Sequence, residues 1–172
     1  MKPVDLAKKL RREAAFEPAA LDRGKAMLMA AIRQEAESRR QPTIIPQVPY
    51  ADIPAALSFL ERAFGFREIP SARFVSPDGV LLHATVEFAG GLVGVGGQGD
   101  HGAVSPASGG VESQFISVHV DDVDAHYQRA VAAGARIVND LRDHSWGERI
   151  YWALELEGHR WRFGQPIREV PQ

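Results

Sequence analysis

A chain of 172 residues with 45% hydrophobic side chains has the length and apolar content for one domain of common size or two small ones. The absence of cysteine excludes disulfides, thiolate metal sites and a cysteine nucleophile, and agrees with a reducing, cytoplasmic setting. The net charge of −2 conceals a division: residues 1–42 carry ten Lys or Arg against six Asp or Glu, and the other 130 residues carry ten against sixteen. A basic arm therefore precedes an acidic body. Acids interspersed among the arm's bases, with no recognition motif after them, argue against nucleic-acid binding. No apolar run reaches bilayer-spanning length and no short apolar segment with a cleavage site opens the chain, so neither membrane insertion nor export is expected.

Within the arm, Val4 to Ala15 and Pro18 to Ser38 have helical composition, and Gln41-Pro42 ends it. Leu21, Leu28 and Ile32, with Met27 and Ala31 beside them, form a stripe in the second segment. Short helices are marginal alone, so this stripe is expected to dock on the acidic body, of its own or a partner subunit.

The body opens with a predicted strand, Thr43 to Tyr50, then Asp52 as N-cap and the apolar series Ile53, Leu57, Leu60 and Phe64, closed by Gly65. Pro54 fits the first helical turn, where a missing N–H costs nothing, while Pro46 and Pro49 place their strand at an edge or seam. Strands follow near Phe66 to Val75, Val80 to Ala89 and Leu92 to Gly97, joined by Ser76-Pro77-Asp78-Gly79 and Gly90-Gly91. Residues 98–112, rich in Gly and Ser, read as a linker.

The order then repeats. Phe115 to Val120 alternates with period two, Asp122 caps Val123, Tyr127 and Ala130, and Gly134 stops the helix. Strands near Arg136 to Asn139, Arg149 to Glu157 and His159 to Phe163 complete it, with Glu157-Gly158 as a tight turn. A shift of seventy places Asp52 on Asp122 and Ile53 on Val123. Two βαβββ modules are expected, one over 43–97 and one over 113–165.

This duplication, with Val-Asp-Asp-Val-Asp-Ala (Val120 to Ala125), Ala-Gly-Ala (Ala133 to Ala135) and Glu-Gly-His-Arg-Trp (Glu157 to Trp161), resembles the vicinal oxygen chelate superfamily of glyoxalases, extradiol dioxygenases and bleomycin-resistance proteins. The resemblance covers about Thr43 to Phe163. It implies an α+β fold whose modules form a cup-shaped, partly open mixed barrel, commonly in a homodimer, with one metal ligand on each of four strands. Those positions fall here on Ile45, Gly94 or Gly96, Phe115 and Arg162, none of which is an ordinary ligand to a divalent ion. Neither metal nor other cofactor is therefore expected. The family's Asp-Pro before the last turn is replaced by Glu155-Leu156.

Since Phe115 and Arg162 inherit cup-facing positions, Ser117, His119 and Arg160 should face the cup with Gln47, and Trp161 and Phe163 should turn to the core. His83 and Glu87 share a strand face at a separation of roughly 13 Å, too far to chelate one ion by themselves. His159 reads as structural; His101, His126 and His144 read as exposed. Trp146, on a loop beside Gly147, suits a lid or a stacking surface, and Trp152 is grouped with it as a ligand-facing aromatic. Arg162 and Arg160 can pair with Glu155 across the adjoining strand or meet an anionic ligand. The glycine run Gly90 to Gly99 lacks the helix and lysine of a phosphate loop.

The expectation is a metal-independent homodimer that sequesters a small aromatic or cationic molecule. A second expectation is a lyase, isomerase or ring-cleaving oxygenase with a relocated metal on His119 with His83 or Glu87. A third is a regulatory or protein-interaction module acting through the arm.

Overall fold

The computed structural model describes residues 22–31, 42–99 and 102–167. The chain divides into two compact units, Met1–Thr43 and Ile44–Gln172. In the first, residues 22–31 form helix α1, with Gly24 buried, Leu28 and Ala31 partly buried and Met27 exposed. Leu21, Ile32 and the expected helix from Val4 to Ala15 lie outside the described residues, as does His101.

The second unit runs β1 (Gln47–Tyr50), α2 (Ile53–Phe59), a π-helical turn (Leu60–Phe64), β2 (Arg67–Glu68), β3 (Phe74–Val75), β4 (Leu81–Phe88) and β5 (Gly91–Gly97). After the linker come β6 (Ile116–His119), α3 (Val123–Ala132), β7 (Arg136–Asp143), β8 (Glu148–Leu154) and β9 (Arg160–Pro166). Each module makes one open sheet. The first has the order β1-β5-β4-β2 with β3 also on β4, and the second the order β6-β9-β8-β7. In both, the strand before the helix is an edge strand that pairs in parallel with the last strand of its module. The fold is α+β, as the duplicated pattern implied.

The two aspartates do what their position before an apolar series requires. Asp52 Oδ1 accepts from the Ala55 N–H and Asp122 Oδ1 from the Ala125 N–H, each at 2.9 Å, so each occupies a donor that the first helical turn leaves free. Gly65 ends the π turn at φ +74°, a backbone state that an L side chain resists.

Alternate residues of each sheet bury against the helices. Val48 and Tyr50, Ala84 and Val86, and Val93 and Val95 do so in module one; Tyr151, Ala153, Trp161 and Phe163 do so in module two. One core runs through both modules, because Phe64 at the end of the π turn packs on Trp161 and Phe163 with ring centres 5.7 and 4.7 Å apart. Among the described residues of this unit, α2, the π turn and α3 all pack on this one side of the sheets.

Several boundaries differ from the sequence pattern. The stretch from Phe66 to Val75 is two short strands, because Pro70 opens a 3-10 turn at Pro70–Ala72 between them. β7 continues to Asp143, its polar outer residues being tolerable on an edge strand. His126, expected to be exposed, is buried in the core at 5% exposure. It lies three residues after Val123 and four before Ala130, on the stripe that α3 turns inward.

Candidate functional site

The face of the module-two sheet turned away from α3 carries most of the expected site. Parallel pairing sets Ser117 opposite Arg162 and His119 opposite Gly164, and antiparallel pairing sets Trp152 on the other side of Arg162. Ser117, Arg162 and Trp152 are thus one row across three strands. Phe115 closes on Trp152 edge to face, with ring centres 4.6 Å apart.

Glu148, at the start of β8, is the hub of this face. Arg162 Nη2 donates to its Oε2, and so does the Trp146 indole N–H at 2.8 Å; His119 Nδ1 lies 3.9 Å from its Oε1. Arg162 Nη1 donates to Ser117 Oγ at 2.8 Å. The pair is largely sheltered, with 12% of the Arg162 side chain and 19% of Glu148 exposed, so each charge is matched where water cannot fully solvate it. Gly164 makes this reach possible: a Cβ there would lie 3.4 Å from Arg162 Nη1 and 2.7 Å from Ile150. Trp146 stays half exposed above the hub, its ring 4.2 Å from that of His144. The hub corrects the expectation that Arg162 or Arg160 pairs with Glu155.

Glu155 instead sits in the last turn, where it accepts from the N–H groups of Glu157 and His159 and is 5% exposed. Burial pushes its carboxyl up. Glu157, equally enclosed, accepts from the Ala51 and Asp52 N–H groups at 2.8 and 2.9 Å and from the Ser105 hydroxyl. The His159 ring bridges Glu112 Oε2 at 3.1 Å and the Pro49 carbonyl at 2.7 Å. Tyr50 is stacked edge-on against that ring, and burial, reinforced by Glu155, Glu157 and Glu112, pushes its hydroxyl well up. This polar knot ties the turn of module two to the start of α2 in module one.

Beside the knot, the facing edges of β1 and β6 leave a groove of 360 Å³. Pro46, Gln47, Phe115, Ser117 and Arg160 line it, with Glu112 and His159 at the end nearest the knot. Gln47 lies flat over Gly94, whose missing Cβ would fall within 2.5 Å of its side chain, and Gln47 Oε1 is 3.1 Å from His83 Nε2. The structure therefore brings Gln47, Phe115, Ser117 and Arg160 around the groove and Ser117, His119, Trp146 and Arg162 around Glu148. Trp152 joins the two through Phe115.

The four metal positions implied by the resemblance do not fit a cation. Ile45, Gly94 or Gly96, and Phe115 offer no donor, and Arg162 brings a positive charge already engaged by Glu148. Nor do His119, His83 and Glu87 assemble: among the described residues no three His, Asp or Glu side chains form a metal-holding group. Glu87 is committed locally, where the Gly90 N–H of its own turn and then the Arg67 guanidinium of β2 hold its carboxyl below the usual range.

A family model described as Glyoxalase/Bleomycin resistance protein/Dioxygenase superfamily matches residues 44–163, which is nearly all of both modules. The chain belongs to this superfamily. Among similar solved structures is TioX from Micromonospora sp. ML1, 36% identical, covering 76% of this chain and 100% of its own at a TM-score of 0.57. TnmS3, described as an antibiotic binding protein from Streptomyces sp. CB03234, is 19% identical over 74% of this chain and 99% of its own, with a TM-score of 0.55. The Mycobacterium tuberculosis protein Rv0887c is 36% identical over 138 residues, or 76% of this chain and 78% of the relative. Among the described residues no helix is long and apolar enough to cross a membrane.

Proposed function

We propose that this superfamily member is a metal-independent binding protein, which holds a small planar ligand on the face formed by Phe115, Trp146, Trp152 and the Glu148–Arg162 pair. The observation that carries this reading is the aromatic surround of a charge pair that satisfies itself. Exposed rings offer stacking area, while Glu148 and Arg162 supply fixed polar edges without a free charge to desolvate. The arginine at the fourth metal position and the missing donors at the other three argue the same way. TnmS3, which shares the fold, is described as binding an antibiotic, and sequestration of that kind of compound is the role we propose here.

The ligand-holding form is proposed to be a homodimer, since Phe74, Val75, Val80 and Leu82 are exposed together at the β3–β4 edge of module one. Sedimentation of the full chain tests that part. For the site, titration of tryptophan fluorescence with planar aromatic compounds, in the presence of chelator, should give saturable quenching at micromolar concentration. Trp146→Phe should retain binding and Trp152→Ala should weaken it at least about tenfold, as expected for a lost stacking wall. Absence of binding below millimolar across the panel would overturn the reading.

A further inference from the structure

We infer that the groove between β1 and β6 takes the acidic substituent of a planar aromatic ligand, with the Arg160 guanidinium as its anchor. This rests on the binding function proposed above and names the class of ligand that the same site selects. A cationic ligand, the other class the acidic body suggests, finds no unengaged carboxylate among the described residues of the lining, where Glu112 is held by His159.

The charges facing the groove decide the sign. Three groups of the lining can carry charge: Glu112, His159 and Arg160. Glu112 and His159 hold each other at 3.1 Å, and His159 also reaches the Pro49 carbonyl. On the adjoining face Glu148 is occupied by Arg162 and by the Trp146 indole. Of these three, only the Arg160 side chain has neither a hydrogen bond nor an ion pair among the described residues. An arginine in that state keeps its planar fork of donors available for a carboxylate or phenolate.

Placement fits the same ligand. Ile116 pairs with Trp161, so the preceding residues, Phe115 and Arg160, are neighbours on the face turned away from α3. On the other side Arg160 is opposite Leu154, which is buried and offers no competing acceptor. A ring stacked by Phe115 and Trp152 therefore has the guanidinium at its edge, and Ser117, Gln47 and Gln114 as further polar neighbours. The volume of 360 Å³ is near the lower end of about 300–1,000 Å³ for small-molecule sites, which suits one ring system better than a large peptide. The body's net charge of −6 opposes an anion at long range, but screening over about 8–10 Å confines that effect while contact with Arg160 is direct.

Calorimetric titration of the full chain with 2-naphthoate, 2-naphthamide and 2-naphthylmethylammonium tests the assignment with one ring and three charges. Naphthoate should bind at least about tenfold more tightly than the ammonium compound, the scale of one charge-assisted contact. Arg160→Gln should reduce that preference to within about twofold, weakening naphthoate far more than the amide, and Arg160→Lys should keep part of it. Arg160 is exposed, so these variants should melt with the parent protein. Equal or tighter binding of the ammonium compound, or a preference that survives Arg160→Gln, would overturn the inference and leave the binding function standing. Failure of all three ligands at millimolar concentration, together with a silent panel, would remove both.

Discussion

His126 makes a quantitative test of how the two modules are joined. It belongs to α3 of module two, yet its Nε2 donates to the Phe64 carbonyl in the π turn of module one at 3.0 Å, while Nδ1 accepts from the Tyr151 hydroxyl at 2.6 Å. Burial, with Arg129 adding to it against the pull of the Phe64 carbonyl, pushes the imidazole down from 6.5 to about 4. As pH falls the unfolded chain takes up this proton first, so the stability from a neutral His126 is complete above 6.5 and is lost as pH falls toward 4. The interval from 6.5 to about 4, at about 1.4 kcal/mol per pH unit, gives about 3 kcal/mol in all, of which about 2 kcal/mol is gone by pH 5. Glu155, whose carboxyl burial pushes up, contributes stability that is lost as pH rises instead, and it is common to parent and variant. Urea unfolding at pH 7.5 and 5.0 of the parent and of His126→Gln therefore isolates the histidine. The variant should be less stable at pH 7.5 and should lose about 2 kcal/mol less than the parent on acidification. An equal loss in both proteins would refute the reasoning, and so would an NMR titration in which the His126 ring protonates near its ordinary value.

Asp122→Ala should cost about 1 kcal/mol in chemical denaturation, since it frees the Ala125 N–H at the start of α3. Ala89 holds φ at +49° in the β4–β5 turn, so Ala89→Gly should raise stability by up to about 1 kcal/mol in thermal melts. Glu148→Gln leaves Arg162 sheltered without its counter-charge and should destabilise by about 2–3 kcal/mol in urea unfolding, below the range for fully buried pairs because the site keeps some water. Prolonged dialysis against chelator should leave both the melting temperature and planar-ligand binding unchanged, because among the described residues no three His, Asp or Glu side chains form a metal-holding group.

The parts of this fold that depend on local sequence were legible from it. Asp52 and Asp122 announced their helices because a cap is a contact within three residues, and Phe115, Ser117 and His119 announced their face because a strand alternates. Glu148 was missed because its meaning depends on the β8–β9 register, which brings residues fourteen apart in sequence into contact. A signal did exist in Gly164, a glycine two residues from Arg162 on its own strand face, where an open floor lets a long side chain lie along the sheet. His126 was legible too, at three residues from Val123 and four from Ala130, but a polar residue on an apolar stripe was read by its type rather than its position. The partners of Glu155 and Glu157 were beyond reach of sequence, because the groups they accept from depend on how turn and module pack.

The contact of Glu157 with the Ala51 and Asp52 N–H groups makes the two halves of the repeat interdependent. A fragment ending after β5 would expose those two donors, and the Tyr50 side chain beneath them, to solvent. Its own β4–β5 hairpin carries Glu87, but that carboxylate is spent on Gly90 in the turn and on Arg67 of the neighbouring strand β2. A solitary half could recover the missing carboxylate only from another polypeptide, so separately made halves should be soluble together and poor alone. Duplication here has made the second copy a built-in chaperone for the first, and that obligation, rather than any demand of the ligand face, fixes where the chain can be cut.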